Sequence, residues 1–477
     1  MAAVLTARDH YLSLFEARAP RLAGPRWLEP LRRTAIAHFA AAGFPTVRDE
    51  DWRYTSLGPL GEIPFEPPAA ETGADLPGEA VERLRVGGKD WPCLVFVDGR
   101  HAPRHSAPTG APAMAAAVPA GGDRAAPAAS PAAAPGQAVT LASLTEAMRS
   151  EAALVERHLG RHATWERNVF AALNTAFVED GAFVHLPADT AVPAPIELVF
   201  VTTTPRVLAQ PRVLVVAEPG SRVTIVERYV GLTAEPCFSN VVSELHLGRG
   251  AAVDHYVLQE QGSGTFHFAT VHAELERDSA LSAYAATFGA RLARATLVVG
   301  LRGEGARADL GGLYVLGGRQ HADHHVTVDH AVPRGTSRQL YKGVLDGASR
   351  AVFNGRIVVR RDAQKTDASQ TNKHLLLSDG VEVDSKPQLE IFADDVKCTH
   401  GAAEGQLAPE ALFYLRSRGL AEPAARALLT YGFAREVLDR IGLAPIRAAL
   451  DHALTTRLEE GSDPAPAATN DGDHHAK

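Results

Sequence analysis

The stretch that decides the fold is "EPGSRVTIVERYVG" at residues 218–231, followed by "GRGAAVDHYVLQEQG" at 248–262. In each, a glycine turn precedes a run in which apolar and polar residues alternate. Alternation of period two belongs to a strand with one buried face. The pattern returns in "ERDSALSAYAATFG", "RGEGARADLGGLYVLGG", "DGASRAVFNGRIVVRR" and "SDGVEVDSKPQLEIF". The turn residues Gly220, Gly250, Ser279, Gly305, Gly347 and Gly380 are spaced 30, 29, 26, 42 and 33 residues apart. A repeat in this range marks units that stack because none can bury its own apolar face. Stacked strand-and-turn units predict a mainly β chain with a β-helix or related solenoid over residues 182–402. A β-sandwich is the competing arrangement, since its strands also alternate and recur at short spacing.

Outward from this core the character changes. Residues 1–101 read as an N-terminal helical and mixed domain. "EPLRRTAIAHFAAAGF" places Leu31, Ile36, Phe39 and Ala40 near helical spacing, and Gly43 suits the helix end. In "GFPTVRDEDWRYTSL", Trp52, Tyr54 and Leu57 suit a packing corner. "WPCLVFVDGRHAP" predicts a strand at 94–97 with a turn at Asp98 and Gly99. Residues 102–139 are almost pure Ala, Pro and Gly and predict a disordered insertion or linker, because they bury too little apolar area to offset ordering entropy. Helical periodicity returns over 140–181, and again over 403–460 as a C-terminal helical subdomain. There "APEALFYLRSRGL" opens with Pro409 and closes with Gly419, and a second helix carries Ala425, Leu428, Leu429, Phe433 and Val437 on an apolar face. Residues 461–477 read as a frayed tail, with His474 and His475 solvated.

Composition narrows the function. Hydrophobic residues at 45% and charged residues at 22% fit a globular chain with a sizeable core. A net charge of −8 without a long basic block disfavours nucleic acid and anionic membranes as partners. No apolar run approaches the roughly 20 residues that cross a bilayer. The first residues, "MAAVLTARDHYLSLFEARAP", interrupt their apolar run with Arg8, Asp9 and His10, so no signal peptide is expected and the cytoplasm is the expected location. Three distant cysteines, Cys93, Cys237 and Cys398, argue against a disulfide framework or a self-contained zinc ribbon. No G-x-x-x-x-G-K-[ST] and no G-x-S-x-G occurs, so the sequence carries neither a P-loop for ATP nor a hydrolase elbow.

The chemistry concentrates in "DDVKCTHGA" at 394–402, where Cys398 and His400 stand two residues apart. On an extended segment such residues share a face, with Cβ atoms on the order of 6–7 Å apart. Thiolate and imidazole both ligate iron and zinc. Lys397 would favour the thiolate; Asp394 and Asp395 would oppose it. Two ligands leave a site incomplete, because structural zinc takes four and iron–sulfur clusters usually take four cysteines. Either the pair is structural, or the remaining ligands come from another chain or from exogenous sulfide. "RQHADHHVTVDHAVP" gathers His321, His324, His325 and His330 without an H-E-x-x-H pattern; on a strand His324 and His325 point to opposite faces, and these histidines are predicted packed or solvated. "GRIVVRRDAQKTDASQTNKHLLLSDG", with Arg360, Arg361, Lys365, Asp367, Gln370 and Asn372, suits a solvated sheet face or a ladder of polar side chains across stacked turns.

The run "NKHLLLSDGVEVDSKPQLEIFADDVKCTHGAAEGQLAPEALFYLRSRGL", together with "GFPTVRDEDWRYTSL" and "RQHADHHVTVDHAVPRGTSRQLYKGVLDGASRAVFNGRIVV", closely resembles the SufB/SufD family of the SUF iron–sulfur cluster assembly machinery. The Cys-x-His spelling resembles its SufD branch. The resemblance covers most of the chain outside 102–139 and the tail. It implies a right-handed parallel β-helix between helical N- and C-terminal parts. It implies a non-catalytic scaffold subunit that pairs with SufB through the β-helix and binds two copies of the ATPase SufC. SufC would dock over residues 409–441, with Phe413, Tyr414, Arg416, Leu429 and Phe433 as candidate contacts. His400, with Cys398 as a second contributor, would meet SufB where a nascent cluster forms. Iron or a transient Fe–S cluster would then be held jointly; the isolated chain would hold no tight cofactor and could pair with itself. Two alternatives follow from the residues: a β-helix polysaccharide-active enzyme, and a mononuclear metalloenzyme built on His321 and His324.

Overall fold

The structure, a computed structural model, describes residues 2–69, 76–107, 138–163 and 165–460. Most of the Ala/Pro-rich stretch, residues 108–137, and the tail at 461–477 lie outside the described residues.

Among the described residues two ten-stranded sheets make up the centre of the molecule. One contains, in spatial order, the strands Arg222–Gly231, Ala252–Glu260, Ala280–Thr287, Arg307–Leu316, Thr336–Leu345, Asp367–Leu376 and Lys397–Gly405. The strands that alternate with them in sequence, Phe238–Leu247, Phe266–Leu275, Leu292–Leu301, His321–His330, Arg350–Val359 and Glu382–Ile391, build the other. All pairings among these strands are parallel, without a slip in register. The chain therefore winds from sheet to sheet as a parallel β-helix, and an antiparallel sandwich is excluded.

Strands of the first sheet begin 27 to 31 residues apart. The irregular 42-residue step in the sequence repeat has a structural cause. The first four repeats lie in one sheet and the last two in the other, so the step skips the strand Thr336–Leu345. That strand is preceded by a turn in which Arg334 takes the left-handed backbone (φ 61°) and Gly335 follows it.

Alternate side chains fill the space between the sheets. Val223, Ile225, Val253, Leu281, Leu310 and Val328 are among them. The first coil is closed by the N-terminal region. Cys93–Val97 pairs in parallel with Ile196–Thr202, then turns through Asp98 and Gly99 (φ 51° and 87°) into the antiparallel Arg100–His101. Thr140–Ser143 lies antiparallel on Gly181–Leu186 in the other sheet.

Helices cover the outer faces. Ala2–Arg18, Leu28–Ala42 and Val169–Phe177 pack Tyr11, Phe39 and Phe170 against Phe238, Phe266 and Phe268 of the second sheet. Gly43 ends the second of these helices in the left-handed region, its N–H donating to Phe39 O at 2.8 Å. The Trp52 segment is the packing corner expected from sequence. Its indole lies against Phe170 and Phe268, with the Arg294 guanidinium 3.8 Å above the ring. On the opposite sheet, Glu422–Leu438 and Ala444–Glu460 bury Val437, Ile446, Leu450 and Leu454 against Tyr256, Tyr284, Leu313 and Val344. No described helix is long and apolar enough to cross a membrane.

Candidate functional site

The β-helix stops at the strands Glu382–Ile391 and Lys397–Gly405, each paired on one side only. Such edges carry free N–H and C=O groups that another chain can pair with. Ile391 and Phe392, at the corner between them, are 41% and 60% exposed.

Register decides where the chemistry points. Cys398 lies beside Ala368, His400 beside Gln370 and Glu404 beside His374. Ala368, Gln370 and His374 are buried and face the interior. In an in-register parallel sheet the side-chain direction is inherited along each column. Cys398, His400 and Glu404 therefore lie on the inner face of the last coil, where no further coil covers them. Cys398 is half-buried against Ile357, Val359 and Ala368, while His400 is exposed. Burial pushes the Cys398 thiol up, Asp367 adds to this, and a backbone hydrogen bond from Ala368 opposes it. The perturbing carboxylate is thus Asp367 rather than Asp394 or Asp395, and Asp395 is paired with Lys365. A thiol held protonated in this way ligates once a metal or a positive neighbour lowers its pKa.

Behind this pair the interior is polar. Tyr314 Oη and His374 Nε2 are 2.6 Å apart, and the Tyr314 ring stacks on His324 at 4.7 Å. Ser385 Oγ donates to Asn372 Oδ1 at 3.0 Å. Gln339 and Gln370 are register neighbours, and both ends of both amides are buried without a protein partner. Burial drives His324 and His374 down to about 4, so both imidazoles are neutral at pH 7. The polar ladder expected around Gln370 and Asn372 thus exists, but it lines the inside of the helix and leads toward His400.

The histidine-rich stretch does not converge. His324 faces inward, whereas His321 lies 3.3 Å from Thr55 Oγ1 on the outer side, and His325 lies 2.9 Å from Asp323. His330 contacts Ser337 Oγ at 2.9 Å. His321 and His324 stand on opposite faces of their strand, which removes the basis of the mononuclear reading.

The family model described as "SUF system FeS cluster assembly, SufBD core domain" matches residues 200–433, and that of the "SufBD protein N-terminal region" matches 122–198. An iron-sulfur cluster assembly SufBD family protein of Synechocystis is 34% identical over 437 residues, covering 89% of this chain and 90% of that one. The chain belongs to the SufBD family. It is also 27% identical to the iron-sulfur cluster assembly protein SufD of Escherichia coli, over 96% of this chain and 98% of that one.

In this SufBD family protein the C-terminal helices present a second surface. Pro409–Ser417 buries no residue, and Phe413 and Tyr414 are 75% and 56% exposed. Arg416 is exposed and paired with Glu422 at 3.1 Å. Leu429 is half-buried. Phe433 faces the β-helix, where Lys342 Nζ sits 4.3 Å from its ring and donates to its carbonyl oxygen at 2.8 Å. Leu428, expected on the apolar face of its helix, is instead 50% exposed. Sequence reasoning missed the inner residues Tyr314, Gln339 and His374, and it missed the trio His158, His162 and His246. Only inward register or folded proximity could have revealed them.

Proposed function

We propose that this protein is a non-catalytic scaffold subunit of the SUF machinery, of the SufD branch, working in the cytoplasm. It pairs with SufB through the open end of the β-helix, and SufC docks on residues 409–441 and supplies ATP hydrolysis. The carrying observation is that the β-helix ends uncovered with Cys398 and His400 on its inner face. Two donors on one face need a neighbour to complete a coordination shell. A nascent Fe–S cluster, as cargo, would be held there jointly and released later, which a four-cysteine cage would hinder. The missing P-loop agrees with an energy source in another subunit. Exposed Phe413 and Tyr414 on a helix that buries nothing suit a docking surface for that subunit.

The test is co-purification with SufB and SufC, followed by anaerobic cluster reconstitution. His400→Ala is expected to leave the complex assembled and to slow cluster formation; reconstitution at the wild-type rate would refute the role of His400. Phe413→Asp with Tyr414→Asp is expected to lose SufC while SufB stays bound.

A further inference from the structure

Three histidines meet on the outer side of the second sheet, at the opposite end from Cys398. His158 is the last residue of the helix Ala152–His158, His162 follows in the loop, and His246 projects from the strand Phe238–Leu247. One ring nitrogen of each lies within 4.8 Å of the others. His158 Nδ1 and His162 Nε2 are 3.0 Å apart, and the His246 ring is centred 4.8 and 5.3 Å from the other two. Nitrogens on a tetrahedral zinc, with Zn–N of about 2.0–2.1 Å, stand roughly 3.3 Å apart. The observed spacing therefore needs only small rotations to close on an ion.

The loop is held in place for this. The Glu244 carboxylate accepts from the backbone N–H groups of Gly160, His162 and Ala163 at 2.8, 2.9 and 3.0 Å, and from Arg212 Nε at 3.0 Å. Glu244 is thereby saturated and serves as a brace rather than a ligand. His246 Nδ1 is buried with no hydrogen-bond partner, while its Nε2 lies 3.8 Å from Glu276. A carboxylate beside the far nitrogen is the usual outer support of a ligating imidazole.

We propose that His158, His162 and His246 bind one divalent first-row transition ion, with zinc the best match to three imidazoles and a fourth position open to water. The contact between His158 Nδ1 and His162 Nε2 holds one proton between them, which the ion displaces on binding. The ion would fasten the helix and loop to the sheet. The site lies five strands, roughly 24 Å at about 4.8 Å per strand, from the last strand of its sheet, so it is separate from the cluster-handling end.

The test uses the untagged full-length protein carrying Cys398→Ala and His400→Ala, titrated with Co(II) and then with Zn(II). One equivalent of Co(II) with visible d–d bands is expected, displaced by zinc, together with a rise in Tm. Either His162→Gln or His246→Gln is expected to abolish the bands and the Tm shift. Absence of Co(II) binding, or the same spectrum after His246→Gln, would overturn the proposal. X-ray absorption on the wild-type chain with one equivalent of zinc needs no foldable variant. Three imidazole scatterers support the site; a first shell containing sulfur, or fewer than three imidazoles, refutes it.

Discussion

The two ends of the β-helix are built from the same strand-and-turn unit and finish in opposite ways. At the first end, antiparallel strands close the coil, and Phe96, Phe200 and Tyr229 stack across three strands at 4.9 and 4.8 Å. A carboxylate buried there is satisfied: Glu227 accepts from Tyr229 and from Ser243 at 3.0 Å, and contacts His255 at 2.8 Å. At the last end no further described strand pairs with those that carry Ile391 and His400, and Gln339 and Gln370 keep unpartnered amides inside. A coil buries its apolar face only against a neighbour. An end left uncovered, with polar columns opening onto it, keeps edge N–H and C=O groups that another chain can pair with, whereas the first end finishes in short antiparallel strands.

The strongest way to break this contrast is to truncate one residue at each end. Phe200→Ala removes the middle of the aromatic stack and is expected to destabilise by about 3–5 kcal/mol, as buried Phe truncations do. His400→Ala, exposed, should change stability by no more than about 0.5 kcal/mol. Urea unfolding of both variants checks the difference; equal losses would mean that the last coil is as integral to the fold as the first.

A single added methyl sharpens the comparison. A Cβ at Gly343 would meet Tyr314 Cε2 at 2.2 Å and His374 Cδ2 at 2.7 Å. Gly343→Ala should therefore overpack the inner column and cost about 1–3 kcal/mol. At Gly401, on the terminal strand, the same Cβ meets nothing within 4 Å. Gly401→Ala is expected to be nearly silent in the same denaturation experiment.

Acid should act on the inner column. Burial holds His324 and His374 at about 4 in the folded state, against about 6.5 when unfolded. Between these values the unfolded chain binds the extra protons, so stability rises with pH through this window and is lost as pH falls from about 6.5 toward 4. Each histidine contributes at most about 1.4 kcal/mol per pH unit, or about 1–2 kcal/mol between pH 6.5 and 5. Urea midpoints at pH 7.5, 6 and 5 measure the slope, and His374→Asn should flatten it.

The fold was legible because a turn residue announced most coils of one sheet, and alternation identified the strands. The exception is informative: the reading passed over the strand Thr336–Leu345, although Gly335 precedes it, and slid from one sheet to the other. Cys398 and His400 were legible as a pair because strand geometry alone puts residues two apart on one face. The column behind them was not. Gln339, Gln370 and His400 are neighbours by register but lie about 30 residues apart in sequence, and inward direction is undefined until strands are aligned. The trio at His158 fails for the same reason. His158 and His162 are four apart, but His246 arrives from a distant strand.

A small effect on stability is paired with a large expected effect on association at the corner of the last coil. Phe392 is 60% exposed, and its position is fixed by its N–H donating to Val359 O at 2.9 Å. Phe392→Asp removes little buried surface, so the isolated chain should unfold within about 0.5 kcal/mol of wild type. If the open end is where SufB or a second copy of the chain seats, an aromatic anchor at its corner is worth at least ~1.4 kcal/mol, or tenfold in Kd. Sedimentation equilibrium of the chain alone, and titration with SufB, should both show weakening of that order in Phe392→Asp. A similarly exposed control, Leu428→Asp on the C-terminal helix, should leave both unchanged. Weakening by the control alone would move the pairing surface from the end of the β-helix to the helices.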